Sequence, residues 1–519
     1  MPYGPLLTRQ FGPNPKGSKL TIQEMDDNLL YLSESIATGG GAPFPFTGSA
    51  EISGSILINS QLTLGTGAGT GLNNVALGKD TLTSNTTGYE NVALGLNALR
   101  NNTTGYNNTA LGTSALYSNT TGYNNVALGP FALQNNYAGT NNIGLGRQAL
   151  QLNTYGNNNV ALGRYALRNN TTGNNNVAQG FKALYSNTTG NYNIAQGYKA
   201  LYSNTTGYNN VALGTSTLMY NISGFNNVAL GVGALQNNTT GNYNVALGTS
   251  TLMYNISGSN NVALGRGALR DNTTGNSNVA LGQSALVLNT AGSNNVALGV
   301  GALQNNTAGN LNVALGSNSL NSNATGNYNI ALGGAMNNKN PINYGNDNVA
   351  LGRSALYSNT TGNSNVALGL NTLFNNTTGN YNVALGRRAL RHNTTGTNNV
   401  ALGAVALQYN TTGSNNVALG RGALRDNTTG ASNVALGDSA LNSNTTGSFN
   451  TALGFNVQSG NFSGSLILGA AAAATANGQL ALGSSTYPIG PVVSEVSASS
   501  THTFAINLNG NTYRLLMIQ

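Results

Sequence analysis

Two histidines, twelve acidic residues and no cysteine are the resources this 519-residue chain brings to acid–base or metal chemistry. Acid–base catalysis needs titratable groups held together near a substrate. Asp80, Glu90, Asp271, Asp347, Asp426 and Asp438 are scattered and form no recurring pair. His392 falls at a variable position and reads as a solvated surface residue, and His502 lies near the C-terminus. The absence of cysteine removes disulfides and thiolate metal sites. The many glycines follow a repeat and do not form a phosphate-cradling loop. The expectation is therefore a chain that is not an enzyme, with no catalytic residue, metal or cofactor.

One set of polar and aromatic side chains does recur. Arg100, Tyr117, Arg168, Tyr185, Tyr202 and Arg270 occupy the same place in successive repeats. Tyr and Arg along a groove bind sugars; on a wet surface they are spacers. Both readings stand at this point. The net charge of +8 is spread thinly, whereas nucleic-acid binding wants a clustered basic stripe. No stretch approaches the ~18 apolar residues of a membrane span. Neither nucleic acid nor membrane insertion is expected.

The elements that carry these residues are set by the spacing. Asn-Asn-Val-Ala-Leu-Gly-x-x-Ala-Leu-x-x-Asn-Thr-Thr-Gly-x repeats every 17 residues from Val75 to Thr451, 23 copies with one 19-residue step between Ile330 and Val349. Later steps shorten to 15 and 14 residues, at Leu466 and Leu480. A short fixed period is the signature of a solenoid, and 17 residues cannot hold a helix pair. Val-Ala-Leu alternates with the period of a strand. Asn-Thr-Thr-Gly reads as a turn, and the mid-repeat Ala-Leu as a second, shorter strand. The fold class expected is all-β, a parallel β-solenoid, with Asn-over-Asn and Thr-over-Thr ladders between coils. The sequons at Asn85 and its equivalents arise from the turn and do not point to glycosylation.

The structural repeat core is expected at Val92, Ala93, Leu94, Gly95 and Leu99. Alternation along a strand puts Val92 and Leu94 on one face and Ala93 on the other. Leu99 is expected to join Val92 and Leu94 inside the coil. The residue between Val and Leu is held small, Ala in almost every copy and Gly at Gly144. That suggests that both faces of the strand are covered, one by the coil and one by a second chain. A homotrimer, intertwined or side by side, is the expected assembly.

Asn91-Val92-Ala93-Leu94-Gly95 resembles the head repeat of trimeric autotransporter adhesins. The 14-residue step from Leu466-Ile467-Leu468-Gly469 to Leu480-Ala481-Leu482-Gly483 is closer still to that family's spacing. The resemblance covers about residues 60–485 and implies a left-handed parallel β-roll with three chains about one axis. The 17-residue step departs from it. Similar repeats also occur in bacteriophage tail fibres.

The two ends leave the repeat. Residues 1–17 form an extended arm suited to a tail or baseplate protein, and 18–38 a short helix. Its trimerisation seam is Ile22, Met25, Leu29, Leu32 and Ile36. Lys19 to Leu29 resembles N-terminal segments of phage fibre proteins. Residues 39–71 are a Gly/Pro linker and β cap, 72–456 the 17-residue coils, 457–490 the shorter coils and 491–519 a C-terminal β cap. In that cap a hairpin turns at Asn509-Gly510, with Phe504 and Tyr513 on its arms as a candidate tip. Met1 to Pro5 shows no export signal. The expected function is a structural fibre, a phage tail fibre or similar virion appendage assembled in the host cytoplasm, attached by its N-terminus. Its outer partner would be a host-surface glycan or protein receptor. The alternatives are a bacterial surface adhesin or a self-assembling extracellular filament.

Overall fold

The computed structural model describes residues 64–65, 70, 73–334, 336, 345–487, 503–508 and 511–516. The N-terminal arm, the helix expected over Ile22 to Ile36, and the turn residues Asn509 and Gly510 lie outside the described residues. The chain divides into Met1–Ser60 and Gln61–Gln519. All of the repeats belong to the second unit.

Twenty-five three-residue strands, β2 (Val75–Leu77) to β26 (Leu480–Leu482), stack one per coil into a parallel sheet. Equivalent residues pair in register, Val92 with Thr109, Ala93 with Ala110 and Leu94 with Leu111. The 19-residue coil keeps the same register, Ile330 with Val349. At strand spacing, 24 steps of about 4.8 Å make a stack about 115 Å long. Its first edge is covered by β1 (Leu64–Gly65), antiparallel to β2, with Leu64 opposite Leu77. Separately, β27 (Thr503–Leu508) and β28 (Asn511–Leu516) form the expected hairpin, with Ile506 opposite Tyr513 and Phe504 opposite Leu515. Among the described residues there is no helix.

Which face of the strand lies inside differs from the expectation. Ala93, Ala98 and Leu99 are fully buried, while Val92 and Leu94 are 42% and 38% exposed. The reason is the width of the coil. Its apolar end must hold two alanines, one leucine and nothing larger, so the small residue of Val-Ala-Leu turns inward and the two large ones point out. The mid-repeat Ala-Leu is also not a strand. Leu99 sits in the left-handed region at φ +49, as do its equivalents in the other 17-residue coils. That conformation costs roughly 1–2 kcal/mol, against roughly 1.5–3 kcal/mol for burying the side chain, so burial prevails. The Leu99 amide still joins the ladder, donating to the Ala115 carbonyl of the next coil at 3.0 Å. In the long coil Met336 takes this place. It is buried, has φ +52, and its amide donates to Ala355 O at 2.9 Å.

The other end of the coil is a polar core. Asn91 donates from its Nδ2 to Asn74 Oδ1 (3.2 Å) and to Gly105 O (2.9 Å). Its own Oδ1 accepts from the backbone N and Nδ2 of Asn108. A second column runs alongside: Asn102 Nδ2 donates to Asn85 Oδ1 and to the same Gly105 O, both at 2.9 Å. Both amides are buried with their hydrogen-bonding capacity used, and one glycine carbonyl per coil ties the two ladders together. The sequon asparagines belong to this buried second column. Gly105 is needed for room: a Cβ there would overlap Asn102 Oδ1 and Gly122 O and lie 2.7 Å from Asn119 Nδ2. Thr103 does not bond to Thr120 through hydroxyls. Its Oγ1 and backbone N, with the amides of Thr104 and Gly105, converge on the Thr120 carbonyl. Both asparagine columns end at serines where the coils shorten. Ser459 Oγ donates to Asn444 Oδ1 at 2.8 Å, and Ser465 N donates to Asn450 Oδ1 at 3.0 Å.

Candidate functional site

The outer surface presents two kinds of feature. The first is the strand face. Val and Leu of successive rungs form two parallel outward columns, interrupted in the Val column by Thr109 and Thr451 and in the Leu column by Gln179 and Gln196.

The second lies just past the strand, at the corner made by the two residues after Gly95 and by the column of Arg100. Here the Tyr/Arg column anticipated from the sequence bonds along itself. Arg100 Nη1 donates to Tyr117 OH at 3.1 Å, and Arg168 Nη1 to Tyr185 OH at 3.1 Å. Tyr185 stacks on Tyr202 with centroids 5.2 Å apart. The neighbouring corner columns were not singled out from the sequence, and they converge on the same place. Phe181 stacks on Tyr198 at 5.6 Å. Lys182 Nζ lies 5.4 Å from the Phe181 and Tyr185 centroids, 5.8 Å from Tyr202 and 5.9 Å from Tyr165. Lys199 repeats the pattern one coil on, 5.3 Å from Tyr198 and 5.7 Å from Tyr202. Arg164 Nη2 donates to Tyr165 OH at 3.1 Å. That bond holds the Tyr165 phenol below its ordinary pKa; partial burial opposes it, and the fields of Arg164, Arg147 and Arg168 add to it.

A second basic grouping lies twelve rungs beyond Lys182, in the Arg100 column and the column next to it. Arg391 lies over Phe374 at 5.7 Å, and Phe374 stacks on Tyr357 at 4.9 Å. His392 stacks on Tyr409 at 5.1 Å, and its Nδ1 lies 3.2 Å from Asn375 Nδ2. Burial, and then the charge of Arg391, push the imidazole pKa down. His392 is thus a column member rather than an isolated surface residue. His502 lies outside the described residues.

The acidic residues do not assemble with either grouping. The ion pairs among the described residues are Arg270–Asp271 and Arg425–Asp426, each between sequence neighbours, and Arg421–Asp438 across one coil. Of the candidate tip, the backbones of Phe504 and Tyr513 lie in the hairpin strands.

No protein-family model matches the chain, and no curated protein sequence does.

Proposed function

We propose that this chain is the subunit of a homotrimeric fibre, a phage tail fibre or similar virion appendage that attaches through its N-terminal arm and engages the host surface. The observation that carries the reading is the outward Val/Leu double column. About 115 Å long and two side chains wide, it amounts to on the order of 1,000 Å² at strand dimensions. The largest apolar patch on an ordinary monomer is roughly 300–600 Å², and a standard interface buries about 800 Å² per partner. The partner that fits is another copy of this chain. Only a surface with the same rung spacing presents an apolar residue at every level along the stack. Three copies with these faces turned to a common axis would leave the corner columns outside.

The stack supports the fibre role. Its stiffness comes from local ladders, so length is added without enlarging a core. The virion assignment rests on the resemblance of the repeats and of Lys19 to Leu29 to phage fibre proteins. Electron microscopy of the purified chain tests the fibre reading. Discrete rods with a segment of about 115 Å are expected; compact globules, or filaments of indefinite length, would contradict it.

A further inference from the structure

We propose that the aromatic and cationic corner centred on Lys182 is a binding site for an acidic polysaccharide. This inference deepens the proposed attachment role and rests on it.

The local charge is one-sided. Between Glu90 and Asp271 the sequence contains eight Lys and Arg and no Asp or Glu. Four of those eight, Arg164, Arg168, Lys182 and Lys199, meet in one cluster over three successive coils. None of them takes part in the ion pairs among the described residues. A concentration of like charge repels itself and favours an anionic ligand.

The rings argue for a sugar over a nucleobase. Single-stranded nucleic acid is held by aromatic faces free to stack with bases. Here the rings face one another, Phe181 with Tyr198 and Tyr185 with Tyr202, and the cations lie against them. What the corner offers instead is ammonium and guanidinium groups beside phenol hydroxyls. That set suits a ligand carrying acid groups and hydroxyls together. Three rungs span about 10–15 Å, room for a short oligosaccharide stretch.

The test is calorimetric titration of the full chain at 0.15 M salt, where weak long-range attraction is screened. The probes are oligogalacturonate, dextran sulfate, neutral dextran and an oligo-dT strand. At least one acidic glycan should bind, and neutral dextran should not. Lys182→Gln with Lys199→Gln should weaken that binding tenfold or more without changing the thermal melt. Arg266→Gln, elsewhere in the basic stretch, should change it less than twofold. Should the double variant misfold, Tyr198→Ser at an exposed ring replaces it and should weaken binding at least threefold. Failure of both acidic glycans to bind, binding indifferent to these substitutions, or tighter binding of oligo-dT would each overturn the site. Such a failure in a chain that still forms rods leaves the fibre reading standing; only the absence of rods removes that.

Discussion

Leu99 shows how far side-chain burial overrides backbone preference in this chain. A leucine in the left-handed region is unfavourable, yet one occurs in each 17-residue coil outside the long one, because only there does the side chain reach the interior. Two positions earlier the same backbone conformation carries no such reward. That column holds Gly233, Gly267 and Asn371 in some copies but Val405, at φ +57, in another. A β-branched residue there is strained. Val405→Asn should stabilise the chain by about 1 kcal/mol, measured as a rise in denaturant midpoint; an unchanged or lower midpoint would contradict the strain. The asparagines behave in the opposite way. Asn102→Ala removes two donated bonds and the acceptor of Asn119 Nδ2. Each buried group left unsatisfied costs about 1–3 kcal/mol, so a loss of about 3 kcal/mol or more is expected. The adjacent, partly exposed Asn101→Ala should change stability by less than about 0.5 kcal/mol. Equal effects at the two sites would show that the buried ladder contributes nothing special.

At the scale of the element, the coil was legible in the sequence but its orientation was not. The fixed spacing and the Val-Ala-Leu alternation locate every strand from Val75 to Leu482 and their in-register pairing. The asparagine ladders come from the same repetition. Alternation says only that Val and Leu share a face, and it leaves open which face is inside. The size of the interior decides that, and it is set by Leu99 and the two asparagine columns, whose φ values and cross-coil bonds no periodicity reveals. The corner cluster was half legible. The Tyr/Arg column repeats at a fixed place, whereas its meeting with Phe181 and Lys182 depends on how the corner folds. The run of eight Lys and Arg without an acidic residue between Glu90 and Asp271 was the available signal. The inward face is testable directly. Ala93→Leu should overpack the coil and cost about 1–3 kcal/mol, while Ala404→Leu, at a partly exposed corner, should be nearly neutral. The reverse order would place the strand the other way round.

For the whole molecule, stability and assembly draw on different residues. Ala, Leu and Asn close each coil from within, and the stack is held by contacts between neighbouring coils alone. Val and Leu face outward and are available to other chains. A rod of this kind can be long without a large core, but it exposes an apolar column that ordinary monomers do not. Whether other copies of the chain cover that column is the central question. Sedimentation equilibrium of the intact chain at micromolar concentration measures this most directly. The expected mass is three times the 53.0 kDa of one chain. A stable species at the single-chain mass, with its coils intact by circular dichroism, would contradict the proposed assembly.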